Sequence, residues 1–122
     1  MSDLIKDKYA AKKYLKQIER AREKGMEFDL SLAEFAKIVG RKTCFYTGVV
    51  MRKPIGANST DFHDLTLDRI DNKKGYVSGN VVACTRAANQ LKAIWETPEF
   101  KLSPRDALNV ALKTINKLEK GE

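Results

Sequence analysis

The chain has 122 residues, 43% of them hydrophobic and 32% charged, and 23 basic against 16 acidic residues leave it at +7. That length fits one domain, 1–122. The apolar share excludes global disorder, and no apolar run approaches the ~20 residues of a membrane span, so no membrane partner is expected. A basic surplus of this size points to a polyanionic partner, usually nucleic acid.

In chain order, residues 3–24 read as an amphipathic helix, with Leu4, Ala11, Leu15 and Ile18 at helical spacing and Tyr14 alongside. Eight basic and four acidic side chains occupy its other faces. They would either track a phosphate backbone or form a solvated face, and Gly25 ends the helix. Ser31 and Glu34 form a capping box for a short helix to Gly40, whose buried face would be Leu32, Phe35, Ala36 and Val39. Arg41, Lys42, Arg52 and Lys53 follow, with no acid between 41 and 53, a candidate DNA-facing patch. Residues 54–64 are rich in Gly, Asn and Ser and read as a loop. It holds the single histidine of the chain, His63.

From 65 to 96 the pattern is strand, loop, strand, helix. Leu65, Leu67 and Ile70 mark the first strand. Asp71-Asn-Lys-Lys-Gly75 is turn chemistry, in which Gly75 can supply a positive φ. Val81-Val82-Ala83 is the second strand, and 85–96 is a helix ending before Pro98. Ser103, Pro104 and Asp106 cap a last helix with a buried stripe of Leu108, Ala111, Leu112, Ile115 and Leu118, ended by Gly121. The fold class is therefore α+β: a helical part at 1–40, a small ββα unit at 41–96 and a C-terminal helix at 97–122.

The middle unit resembles the ββα-metal finger of HNH (His-Me finger) nucleases, and most of all the phage-type variants that read LDRIDN-x-x-GY-x-x-GNV-V before a helix bearing N-x-x-K. Leu67-Asp68-Arg69-Ile70-Asp71-Asn72, Gly75-Tyr76, Gly79-Asn80-Val81-Val82, Cys84, Asn89 and Lys92 fall in register with that pattern. The resemblance spans roughly residues 41–96. It implies a divalent ion, Mg²⁺ or Mn²⁺, with Asp68 and Asn89 as its ligands, one on the first strand and one on the helix. It implies that Asn80 holds the loop in shape by hydrogen bonds. The chain departs from the family at the general base, where Arg69 replaces histidine. Arginine stays protonated and cannot accept a proton, though it binds phosphate well. His63, Asp71, Asp64 and a metal-bound hydroxide are the remaining candidates for the base, and six residues of extended chain put His63 about 20 Å from position 69.

Related fingers carry a C-x-x-C knuckle near residue 44 and a second cysteine pair at the finger helix, together binding zinc. Here Thr47 stands where the partner of Cys44 would be, and Thr85 and Ala88 stand where further thiols would be sought. With two thiols, Cys44 and Cys84, a closed tetrahedral zinc site is not expected. The expected replacement is apolar packing of Cys44, Phe45 and Tyr46 against Ala83, Cys84 and Ala87. The resemblance thus implies a metal-dependent DNA endonuclease, phage-encoded and working in the cytoplasm of a bacterial or infected host cell. Double-stranded DNA would be its partner, with Arg41, Lys42, Arg52, Lys53, Lys73, Lys74, Arg86 and Lys92 as candidate contacts. The rival reading is an inactive finger that binds DNA or a host protein without cutting.

Overall fold

The computed structural model describes residues 2–53, 61–97, 99 and 101–120, with side chains from residue 8 onward. The expected stop at Gly121, the Leu4 side chain and most of the 54–64 loop lie outside the described residues. The chain is α+β, with helices α1 (Ser2–Glu23), α2 (Leu32–Val39), α3 (Arg86–Trp95) and α4 (Pro104–Glu119). Strands β1 (Phe28–Asp29), β2 (Leu65–Arg69), β3 (Tyr76–Val77) and β4 (Val81–Thr85) make two small sheets, β1 parallel to β3 and β2 antiparallel to β4. It divides into two compact units, residues 1–89 and 90–122.

The core of the first unit is Ala10, Ala21, Leu30, Phe35, Val39, Tyr76 and Val81. Tyr14 stands edge-on to Phe28 and Phe35, at 5.5 and 5.3 Å between ring centroids, a favoured aromatic geometry. Its hydroxyl donates to the Leu30 carbonyl at 2.6 Å. The buried face of α1 is therefore rotated from the predicted one. Ala10, Tyr14 and Ala21 face inward while Leu15 is 66% exposed. Alanines let the neighbouring elements approach closely, and a tyrosine satisfies a backbone carbonyl that leucine would leave bare. In α2, Ser31 accepts from the Glu34 amide as the capping signature requires. Phe35 and Val39 are buried, whereas Leu32 is half-exposed.

The β2–β4 pair runs from Leu65↔Thr85 to Arg69↔Val81, with Asp68 opposite Val82. Thr85 completes the strand rather than starting the helix, so β4 is two residues longer than the hydrophobic run. The β1–β3 bridge sets the position of the 70–80 loop. Tyr76 donates its amide to Glu27 O at 2.8 Å, and a Cβ at Gly75 would lie 2.4 Å from that same oxygen. Gly75 is thus required for close backbone approach, not for a positive φ. Among the described residues the positive values belong to Gly25, Gly48 and Gly79.

In the second unit, α4 carries the complete capping box predicted, Ser103 accepting from the Asp106 amide and Asp106 from the Ser103 amide. Its predicted buried stripe is not buried: Leu108, Leu112, Ile115 and Leu118 are all exposed. A unit of this size has too little interior of its own to cover them.

Candidate nucleic-acid site

Asp68 and Arg69 are adjacent, and on a strand that sends their side chains to opposite faces. Asp68 is buried at 9% exposure and accepts a hydrogen bond at Oδ2 from the Tyr46 hydroxyl. Tyr46 sits on the turn after Cys44, where Gly48 N donates to Cys44 O and Val49 N to Thr47 Oγ1. A buried carboxylate needs donors, and Tyr46 supplies one from 22 residues away. Nothing in the sequence pairs these two positions.

Arg69 faces the 70–80 loop. Its guanidinium donates to the carbonyls of Asn72 and Lys74, both at 2.9 Å, and lies 5.4 Å from the centre of the Tyr76 ring. Asn80 is buried and closes the same loop. Its Nδ2 donates to Asp71 O at 3.1 Å and Gly75 O at 2.9 Å, while its Oδ1 accepts from Asp71 N at 2.9 Å. Asp71 caps the turn, accepting from the Lys73 amide at Oδ1. Arg69, Asn80 and Asp71 are thereby brought together as a loop-holding set. His63 lies before β2, away from the Asp68 end, 65% exposed and 3.4 Å from Asp61 Oδ1. Asn89 is half-buried on the first turn of α3.

The basic candidates are not equivalent. Arg52 donates to the buried carboxylate of Asp64 at 2.9 Å and lies 3.8 Å from Asp61. The hydrogen bond to Asp64 raises the Arg52 pKa, and the His63 amide, with Arg52, holds Asp61 below its ordinary value. The stretch 41–53 has no acid in sequence, but the fold delivers two to Arg52. Lys53 stands 4.8 Å over the Tyr9 ring, and Arg41 donates to Thr43 O while stacking 5.8 Å from the Phe45 ring. Lys42, Lys73 and Lys74 are exposed, and Arg86 is half-buried. Lys92 is half-buried and pairs with Glu96 at 2.7 Å.

The expected apolar replacement for a zinc knuckle takes another form. Cys44 Sγ accepts from the Thr85 amide at 3.3 Å and contacts Thr85 Oγ1 at 3.7 Å, and the Ala88 amide donates to that hydroxyl. Phe45 and Tyr46 remain 45% and 40% exposed. Burial pushes the Cys44 thiol up, but hydrogen bonds from Thr47 and Thr85 outweigh it and bring the pKa to about 7. Threonines at 47 and 85 tie the two turns together through the thiol. Among the described residues no group of three or more His, Cys, Asp or Glu side chains is placed to hold a metal ion, and no helix is long and apolar enough to cross a membrane.

No protein-family model matches the chain, and no solved structure does. It is similar, at 28% identity over 102 residues, to a protein of Enterobacteria phage T4 described as an uncharacterized 29.0 kDa protein in the dda-modA intergenic region. That match covers 82% of this chain and 39% of the phage protein. It is also similar, at 32% identity over 80 residues, to an uncharacterized protein of Acanthamoeba polyphaga mimivirus, covering 66% of this chain and 13% of the viral one. The chain therefore spans well under half the length of either viral relative.

Proposed function

We propose that this chain is an HNH-type ββα finger of viral, phage-like origin that acts on DNA as a metal-dependent phosphodiesterase. One observation carries the reading. The order β2, loop, β4, α3 places Asp68 on the strand and Asn89 on the helix, with the buried Asn80 amide holding the loop between the strands. Mg²⁺ is commonly held by one or two protein oxygens and completed by water and substrate phosphate. The Asp68 carboxylate and Asn89 amide are a donor set of that kind. They would hold an ion that arrives with the phosphate. When bound, such an ion neutralises phosphate charge. The chain's own part is to aim Asp68 through its hydrogen bond from Tyr46, and to draw the phosphate backbone with exposed Lys42, Lys73 and Lys74.

A second reading is a finger that binds DNA without cutting it, and the placement of Arg69 favours it. An arginine committed to two loop carbonyls is neither a base nor a phosphate clamp. Supercoiled-plasmid nicking in Mg²⁺ or Mn²⁺, comparing wild type with Asp68→Ala at matched DNA occupancy, decides between them. Metal-dependent nicking that is lost in the variant is expected. Retained gel-shift binding with no nicking by either protein would leave the binding finger. Absence of both would overturn both readings.

A further inference from the structure

A groove of about 260 Å³ runs along β4. Ile38, Val81, Val82 and Ala83 line it with apolar side chains, Phe45 with an aromatic one, and Lys37 and Arg41 with cations; no carboxylate among the described residues lines it. Its volume falls below the roughly 300 Å³ at which sites for drug-sized ligands begin, so it suits a single planar ring system. Phe45 offers an exposed aromatic face beside the Arg41 guanidinium. Aromatic side chains interleaved with cations form the usual platform for unpaired bases, because every base has a π-face and a phosphate beside it.

Neighbouring residues link the groove to the candidate carboxylate. The Phe45 amide donates to Ala83 O at 3.0 Å, which fixes the ring at the edge of β4. Phe45 meets Tyr46 edge-on at 5.1 Å, and Tyr46 reaches Asp68. In the sheet Asp68 stands directly opposite Val82, a groove residue, so one strand spacing of ~4.8 Å separates the two. A larger groove lined by Arg69, Lys73 and Lys74 also includes Glu27 and has no aromatic wall, which suits a nucleotide less well.

From this we infer that the groove is a nucleotide subsite. An unpaired base stacks on Phe45, Lys37 and Arg41 take its phosphate, and the neighbouring phosphate of the same strand lies toward Asp68. The inference rests on the DNA reading above and narrows its substrate to single-stranded or locally melted DNA. Fluorescence anisotropy tests it, with a labelled mixed-sequence single strand and the same sequence as a duplex. Wild type should bind the single strand more tightly. Phe45→Ala should weaken single-strand binding about tenfold and leave duplex binding within about twofold. Lys37→Ala should lower the slope of log Kd against log salt on the single strand by about 0.7. Both positions are exposed, and thermal melts verify folding. If Phe45→Ala does not fold, the Lys37→Ala slope alone decides. An unchanged single-strand affinity in Phe45→Ala, or an unchanged slope in Lys37→Ala, overturns the subsite. Wild-type binding to duplex but not to single strand overturns it while sparing the finger reading. Binding to neither DNA, with an acidic apolar peptide bound instead, overturns both.

Discussion

The two flanks of β2 are held by different chemistry. On the Arg69 side, the 70–80 loop is fixed by the Asn80 amide, the Arg69 guanidinium, backbone carbonyls and the Asp71 turn cap. On the Asp68 side, the turn at 44–48 is fixed by a tyrosine on a carboxylate and a buried thiol that gathers hydrogen bonds from Thr47 and Thr85. The Asn80 lock in the first arrangement is made of amide and backbone groups alone. The second depends on the protonation of Cys44. A ββα unit built this way keeps the Asn80 lock constant while the flank beside Asp68 follows the protonation of Cys44.

The largest effect expected is on the invariant side. Asn80→Ala removes three hydrogen bonds and takes this partner from the Asp71 amide and the Gly75 carbonyl, while the Asp71 carbonyl keeps the Lys74 amide at 3.1 Å. At about 1 kcal/mol for each net bond, and more for a group left buried and unpaired, the variant should lose about 3 kcal/mol. Urea unfolding at neutral pH measures it. The same loss should appear at pH 6 and at pH 9, because nothing in this lock gains or loses a proton in that range. A loss that grew or shrank with pH would mean that the two flanks are coupled.

On the other flank the effect is smaller and has a pH signature. The Cys44 thiol is held at about 7 in the folded chain against an ordinary 9.0. Between those values the unfolded chain binds more protons than the folded one, so stability rises with pH. The contribution is complete above pH 9 and is lost as the pH falls through 7. Urea midpoints of the wild type should climb from pH 7 to pH 9, and those of Cys44→Ala should stay flat over that window. A climb that persists in the variant would assign the titration to another group.

How much of this was legible follows from what each feature needs. The capped helices were readable because Ser31 with Glu34, and Ser103 with Pro104 and Asp106, act within one turn. Asn80 was readable through its place in a dense motif. Features made in space were not. The Arg52–Asp64 pair joins residues 12 apart through a loop, Tyr46 and Asp68 are 22 apart, and Cys44 and Thr85 are 41 apart. The β1–β3 bridge holds two residues per strand, too few for any periodicity. Gly75 read as a turn glycine because positive φ is the common reason for one, while its role comes from the Glu27 backbone, 48 positions earlier in the chain. Arg69 was readable as a residue that cannot be a base. That it would turn away from Asp68 into the loop depends on strand alternation together with carbonyls that exist only once the loop has closed.

The smallest expected effect concerns a polar atom that neither flank of β2 satisfies. The Tyr9 hydroxyl on α1 is buried and has no hydrogen-bond partner among the described residues. Burial, and next the charge of Asp64, push its pKa up to about 12. Removing an unpaired buried hydroxyl also removes its desolvation cost, so Tyr9→Phe should leave stability unchanged or raise it by up to about 1 kcal/mol. The Asn80 and Cys44 variants should both go the other way. The sign at high pH separates them further. Above 10 the unfolded wild type releases the Tyr9 proton before the folded chain does, so this contribution to stability is lost as the pH rises toward 12. Tyr9→Phe should lack that decline, and comparing its urea midpoints with wild type at pH 9 and pH 11 reads it directly. A clear loss of stability in Tyr9→Phe at neutral pH would mean that the hydroxyl has a partner, and that the polar groups beside Asp64 form a third held region.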